Sequence, residues 1–188
     1  MSEKDFIYHK RKAYSSDFCS SMIEFFDSNP DLHQMGISDG IVDVQSVKDK
    51  EIPIDIRQDW WDIKGPLGDG FYEYKKIYPG LDTSVSRWNL YTICQLMRYE
   101  PGDAYWKEHC ENDGPTNERE RLLGWMIYLN DIEEGGGTTF THQNFTTKPR
   151  EGDLYIWPAG WTHLHKGVVA PKEPKYIVTG WCSYLTDL

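Results

Sequence analysis

Close cysteine pairs are absent from this 188-residue sequence. Its four cysteines, at 19, 94, 110 and 182, form no Cys-x-x-Cys motif. That excludes a zinc ribbon or a disulfide scaffold and leaves free thiols in a reducing cytoplasm as the plain reading. Long apolar runs are missing too. The longest, Trp125–Leu129, falls far short of the ~20 residues that span a bilayer. The opening MSEKDFIYHKRKAY carries charges but no apolar centre, so neither a membrane helix nor a secretory leader is expected. Positive charge is scarce: 20 Lys+Arg against 30 Asp+Glu give a formal net charge of −10. This balance repels phosphate backbones and argues against nucleic-acid or anionic-membrane binding, while one or two buried cations could still hold a small anion. No internal repeat or low-complexity linker divides the chain, and its length suits a single domain over 1–188. The sequence carries no signal for an oligomeric state.

What is present is apolar and aromatic: 39% hydrophobic residues and 14% aromatics, enough for a real core. Ser15-Ser16-Asp17 reads as a helix N-cap, with Phe18, Met22, Ile23, Phe25 and Phe26 at helical spacing and Asn29-Pro30 as a stop, which predicts a helix over 17–28. Short strands are expected at 41–44 and 52–54, and a second helix near Gly70–Tyr78. From residue 89 the pattern turns to short β-rich runs (89–99, 124–130, 138–141, 154–157, 176–181) separated by Gly/Pro turns. The fold class expected is α+β, mainly β: an antiparallel barrel or jelly roll over 89–188, supported by helices and short strands from 1–88.

Among six histidines, His109 is the informative one, because Glu111 follows at i+2. On an extended segment both side chains project to one face, and Cys110 to the other. A second histidine far downstream, at 163 or 165, would complete two imidazoles and one carboxylate, a set that leaves about half an octahedron open and suits Fe(II). Taken alone, His-x-Glu is more often a solvated turn. Lys175 adds context: it opens an alternating, otherwise apolar strand, where an ammonium must find an anion or reach water; a snorkelling edge lysine is the bland alternative.

The ordered set Tyr99-Glu100-Pro101-Gly102, Tyr105, His109-Cys110-Glu111, Tyr128-Leu129-Asn130-Asp131, Gly135-Gly136-Gly137-Thr138-Thr139-Phe140, Gly152-Asp153-Leu154, Trp157-Pro158, His163-Leu164-His165-Lys166-Gly167 and Lys175–Trp181 resembles the catalytic domain of prolyl 4-hydroxylases, which are 2-oxoglutarate- and Fe(II)-dependent dioxygenases. The resemblance covers about 89–184 and implies the following roles. His109 and Glu111 match the first two iron ligands. His165, ten residues before Lys175, matches the distal ligand better than His163, which becomes a neighbour and hydrogen-bond partner. Lys175 matches the clamp on the far carboxylate of 2-oxoglutarate. Tyr99 and Tyr128 match tyrosines that contact that co-substrate, and Thr179 adds a hydroxyl. The implied cofactors are Fe(II), 2-oxoglutarate and O2; ascorbate use follows from the resemblance only.

Two departures stand out. Most of the family has Asp where this chain has Glu111, and the loop between Tyr105 and His109 is one residue longer than the commonest pattern. Asp113 is the rival carboxylate, with Glu111 preferred. His9 and His142 read as surface residues, His33 as a partner of a helix-end dipole, Gly135–Gly137 as a tight strand connection and not a phosphate loop, and Trp60-Trp61 as core or the lining of a substrate groove, core preferred. The implied activity is hydroxylation of an unactivated C–H bond, with peptidyl proline or a small molecule as substrate. Two other readings stay open: a metal-binding jelly roll with isomerase or hydrolase chemistry, and a non-catalytic interaction module.

Overall fold

The computed structural model describes residues 5–36, 45–58, 62–114 and 116–185. The strand expected at 41–44 and the Trp60-Trp61 pair lie outside them. The chain runs through β1 (Tyr8–Lys10), α1 (Ser16–Ser28), β2 (Gln34–Met35), β3 (Lys50–Asp55), α2 (Lys64–Ile77), α3 (Gly80–Thr83), β4 (Trp88–Leu90) and β5 (Ile93–Tyr99). It continues through β6 (Arg121–Tyr128), β7 (Thr138–Phe140), β8 (Phe145–Thr146), β9 (Leu154–Pro158), β10 (His165–Gly167) and β11 (Lys175–Tyr184). A large antiparallel sheet is ordered β1-β9-β6-β11-β5-β3-β2, with β4 also pairing with β11, and a small sheet is ordered β10-β7-β8. No helix among the described residues is long and apolar enough to cross a membrane.

The helices form as their sequence dictates, with one adjustment. In α1 the Ser15 hydroxyl accepts a hydrogen bond from Phe18 N at 3.2 Å, as a capping residue should. The expected helix at 70–78 begins earlier, at Lys64. Gly65, Pro66 and Gly68 resemble a loop in sequence, but Asp62 accepts from Gly65 N at 2.9 Å, and proline in a first turn has no needed N–H to lose. The run 89–99 is two strands and not one: β4 and β5 both pair with β11, broken at Tyr91-Thr92, where Thr92 turns its carbonyl to Ile56 N at 2.9 Å. His9 is not a free surface residue. It lies in β1 beside β9, its Nε2 2.6 Å from Asp153 and its ring stacked on Tyr155 at 4.3 Å. His33 donates to Phe26 O in the last turn of α1 at 2.9 Å, as expected of a helix-end partner. Gly135 and Gly136 adopt positive φ (72° and 70°) in the β6–β7 connection, a conformation that strains other residues.

The core splits across the large sheet. On one face, Met22 and Phe26 of α1 and Leu67 and Phe71 of α2 pack on Leu96, Trp125, Ile127 and Val178; each such side chain contributes roughly 1.5–3 kcal/mol on burial. On the other face, Met97, Met126, Tyr155, Trp157 and Ile177 meet Phe140 of the small sheet. β11 is central and serves both faces by strict alternation: Tyr176, Val178 and Cys182 enter the helix-side core, while Lys175, Ile177, Thr179 and Trp181 face a cavity between the sheets. Gly180 leaves room for the Trp125 ring, since a Cβ there would stand 2.4 Å from Trp125 Cζ2. Gly180→Ala is therefore expected to destabilise by about 1–3 kcal/mol through overpacking, read as a lower urea midpoint at unchanged slope.

Candidate metal centre and co-substrate cavity

A backbone pairing sets the site. His109 and His165 form an isolated antiparallel bridge, with N–H···O distances of 3.0 and 2.9 Å in the two directions, so two imidazoles distant in sequence sit side by side, ring centroids 4.5 Å apart. Glu111 N donates to Ala159 O at 2.9 Å and brings its carboxylate to the same point. Ligand-capable atoms of His109, Glu111 and His165 all lie within 4.8 Å of one another.

The second ring nitrogens fix which atoms face inward. His109 Nδ1 stands 3.0 Å from Lys107 O, and His165 Nδ1 stands 2.8 Å from His163 O. A carbonyl only accepts, so each Nδ1 carries the proton and each Nε2 is free to ligate. His163 has both nitrogens engaged, Nε2 with Asp5 O at 2.9 Å and Nδ1 with the Thr162 hydroxyl at 3.0 Å, and it points away. Asp113 is exposed and outside the cluster, and His142 is exposed.

Glu111 is 8% and His165 5% exposed, with Oε1 and Nε2 3.1 Å apart. Burial alone would raise the Glu111 acid, but hydrogen bonding and charge from His165, then His109, then the Trp181 N–H hold it down at about 2. Burial pushes His165 down, and its hydrogen bond to Glu111 outweighs that and lifts it. Burial, followed by the His165 charge, lowers His109. Two neutral-capable imidazoles and a firmly ionised carboxylate are a donor set that fits Fe(II).

The cavity running from this cluster encloses about 430 Å³, ample for a small dicarboxylate. Tyr99, Thr138, Lys175, Ile177 and Thr179 are among its lining residues. Lys175 is 3% exposed and lies over the Tyr99 ring at 4.2 Å, with no hydrogen-bonded anion among the described residues. Burial lowers it to about 8, against the raising influence of Asp49. Thr179 donates to Trp125 O at 2.9 Å, keeping its lone pairs for the cavity. Tyr128 stands behind the wall: fully buried, its hydroxyl 2.6 Å from Thr147 and 3.5 Å from Thr138.

Sequence reasoning missed Asp49, Glu51, Arg121 and Trp181. Burial, the largest influence, raises Asp49 and Glu51 each to about 7, so two acids lie near the Lys175 end of the cavity partly protonated. Alternation in β3 sets Glu51 on the face opposite Ile52 and Ile54, which reads as solvent-facing in sequence, although that face lines the cavity. Trp181 Nε1 donates to Glu111 Oε2 at 2.6 Å.

Facing antiparallel sheets around a two-histidine, one-carboxylate cluster define a jelly roll with a candidate metal site. Residues 94–183 match the family model described as 2OG-Fe(II) oxygenase superfamily. The chain is 30% identical to "Probable prolyl 4-hydroxylase 9" of Arabidopsis thaliana over 46% of its own length and 38% of the relative. It is 26% identical to "Prolyl 4-hydroxylase 13" of the same plant over 48% and 42%. The matched segment thus spans well under half of either relative. The fold is that of the viral collagen prolyl hydroxylase of Paramecium Bursaria Chlorella virus-1 in its 2OG complex (TM-score 0.69, 18% identity, 96% of this chain and 97% of that one). A prolyl hydroxylase from Trichoplax adhaerens, solved with a hypoxia inducible factor peptide fragment, superposes with TM-score 0.74 at 16% identity, over 95% and 84% of the two chains. These structures establish the double-stranded β-helix.

Proposed function

We propose that the protein is a 2-oxoglutarate- and Fe(II)-dependent hydroxylase acting on peptidyl proline. The observation that carries the reading is the buried ammonium of Lys175, with no hydrogen-bonded anion among the described residues, in the same cavity as the His109–Glu111–His165 cluster. A buried charge without a partner is costly, and an incoming carboxylate removes that cost.

His109, Glu111 and His165 would hold the metal, which when bound supplies O2 activation coupled to conversion of 2-oxoglutarate to succinate and CO2. The protein's own residues do the rest. Lys175 pairs with the distal carboxylate in a charge-assisted bond sheltered from water. Tyr99 supports that ammonium from below, Thr179 offers its hydroxyl, and Tyr128 acts from behind by fixing Thr138. Ile177 and Met97 close the wall with apolar surface and exclude water. Ascorbate would serve as an auxiliary reductant. The acidic charge favours a neutral or basic peptide and disfavours nucleic acid or anionic membrane. Four buried free thiols suit a reducing, cytoplasmic location.

The test is turnover of 2-oxoglutarate by the Fe(II)-loaded protein against a panel of proline-containing peptides, with and without ascorbate. Succinate release that needs both metal and peptide, with one oxygen gained on proline by mass spectrometry, is expected. Succinate release with an oxygen on another residue would keep the class and replace the substrate; no metal-dependent succinate with any peptide would sink the reading.

A further inference from the structure

Glutamate at the carboxylate position raises a problem that the surrounding residues answer. Its side chain has one more rotatable bond than aspartate, and a carboxylate free to turn can bind a metal through both oxygens, taking a position that a chelating keto acid and O2 need. In this chain the two oxygens are not equivalent. Oε1 faces His165 Nε2 at 3.1 Å, while Oε2 accepts the indole N–H of Trp181 at 2.6 Å.

Trp181 is itself held in place. The Arg121 guanidinium lies over its ring at 3.8 Å. The same arginine donates to Glu111 O at 3.0 Å and pairs with Glu118 at 3.4 Å. Trp181 stands opposite Gly124 in the β6–β11 register, and the space a Cβ there would take is filled by the Trp157 indole, 2.8 Å away at Cε2. Arg121 therefore ties the backbone of Glu111 to the ring that grips its side chain.

We propose that Trp181, braced by Arg121, is a positioning residue that holds Glu111 to one-oxygen presentation at the metal. The proposal rests on Glu111 being a ligand, as in the function proposed above. Trp181 bonds to no reacting atom in this role; it acts through Glu111.

The experiment is a double-mutant cycle on the full chain, with anaerobic Fe(II) titration of the wild type, Trp181→Phe, Glu111→Asp and the double variant, and the visible absorption of each Co(II)-loaded form. Trp181→Phe is expected to weaken Fe(II) binding by roughly 10–100-fold, the range for loss of a group that orients a ligand. It should also change the Co(II) band intensity, which reports coordination number. In the Glu111→Asp background the same change should cost little, because the shorter carboxylate withdraws from the indole. Trp181→His, which keeps a ring N–H, should recover part of the affinity. Equal losses in both backgrounds with an unchanged Co(II) spectrum would overturn the proposal, since packing alone does not depend on the length of residue 111. If Trp181→Phe fails to fold, Arg121→Gln tests the same coupling with the indole intact, and absence of coupling counts against the proposal. Glu111→Ala separates the two layers: unchanged Fe(II) affinity there would overturn the ligand assignment itself, and this proposal with it.

Discussion

His165→Ala is expected to cost Fe(II) affinity more than ~100-fold and to reduce succinate formation to background. Loss of a group that merely orients a ligand costs about 10–100-fold in metal affinity, and removal of the ligand must exceed that. The effect is compounded here because Glu111 Oε1 faces His165 Nε2 at 3.1 Å. Without that imidazole a buried carboxylate keeps only the Trp181 N–H and the more distant His109, and its lowered pKa rises back toward the ordinary range. His163→Ala provides the contrast. That ring is equally buried but bonded to Asp5 O and Thr162, so its loss should lower the melting temperature while weakening Fe(II) far less. Anaerobic titration of both variants decides the matter; a larger metal defect for residue 163 than for 165 would refute the assignment.

Lys175→Met should weaken 2-oxoglutarate binding by roughly 30- to several-thousand-fold, the equivalent of about 2–5 kcal/mol for deleting one partner of a buried charge pair. The same change should stabilise the protein without co-substrate. Burial holds Lys175 at about 8 instead of 10.5, so folding carries a cost at neutral pH that methionine lacks. The sign follows from linkage. The folded pKa lies below the unfolded one, so the cost is fully present below about 8 and disappears as pH rises toward 10.5, where both states are neutral. The gain in melting temperature should therefore be largest near neutrality, at roughly 2–4 °C per kcal/mol for a chain of this size. Wild-type affinity has its own pH signature. Lys175 loses its proton as pH rises through about 8, and Asp49 and Glu51 gain charge as it rises through about 7. Both changes oppose an incoming carboxylate, so calorimetric affinity should be highest below about 7 and fall steadily above it. A profile rising with pH would contradict this account.

Sequence reading brought together His109, Glu111 and His165, which the structure places in one cluster, because these residues leave local marks. His109 and Glu111 sit two apart, and Lys175 opens an alternating strand ten residues after His165. The pairing that joins His109 to His165 could not be read, since it depends on a bridge between segments 56 residues apart in the chain. Trp181 escaped for a related reason: its bond to Glu111 crosses 70 positions, and a tryptophan in a β-rich run reads as core. Asp49 and Glu51 belong to the first half of the chain, which looked like support, yet β3 pairs with β5 along its whole length and carries Glu51 into the cavity wall. Tyr128 shows the converse error of emphasis: a tyrosine in the expected place lies one layer back, with Thr138 between it and the cavity. Local chemistry was legible; which strands lie beside each other was not.

The alternation along β11 makes the chamber vulnerable to something other than substitution. Every second side chain of this strand belongs to the chemistry and the rest belong to folding, so a slip of one residue would trade an ammonium for a phenol and hide the indole inside the greasy layer under the helices. The irregularity in its pairing with β6 falls between Cys182 and Ser183, just beyond the last inward-facing position. A single-residue insertion or deletion within β11 before that point would turn the wall inside out, whereas the same change after it would pass almost unnoticed.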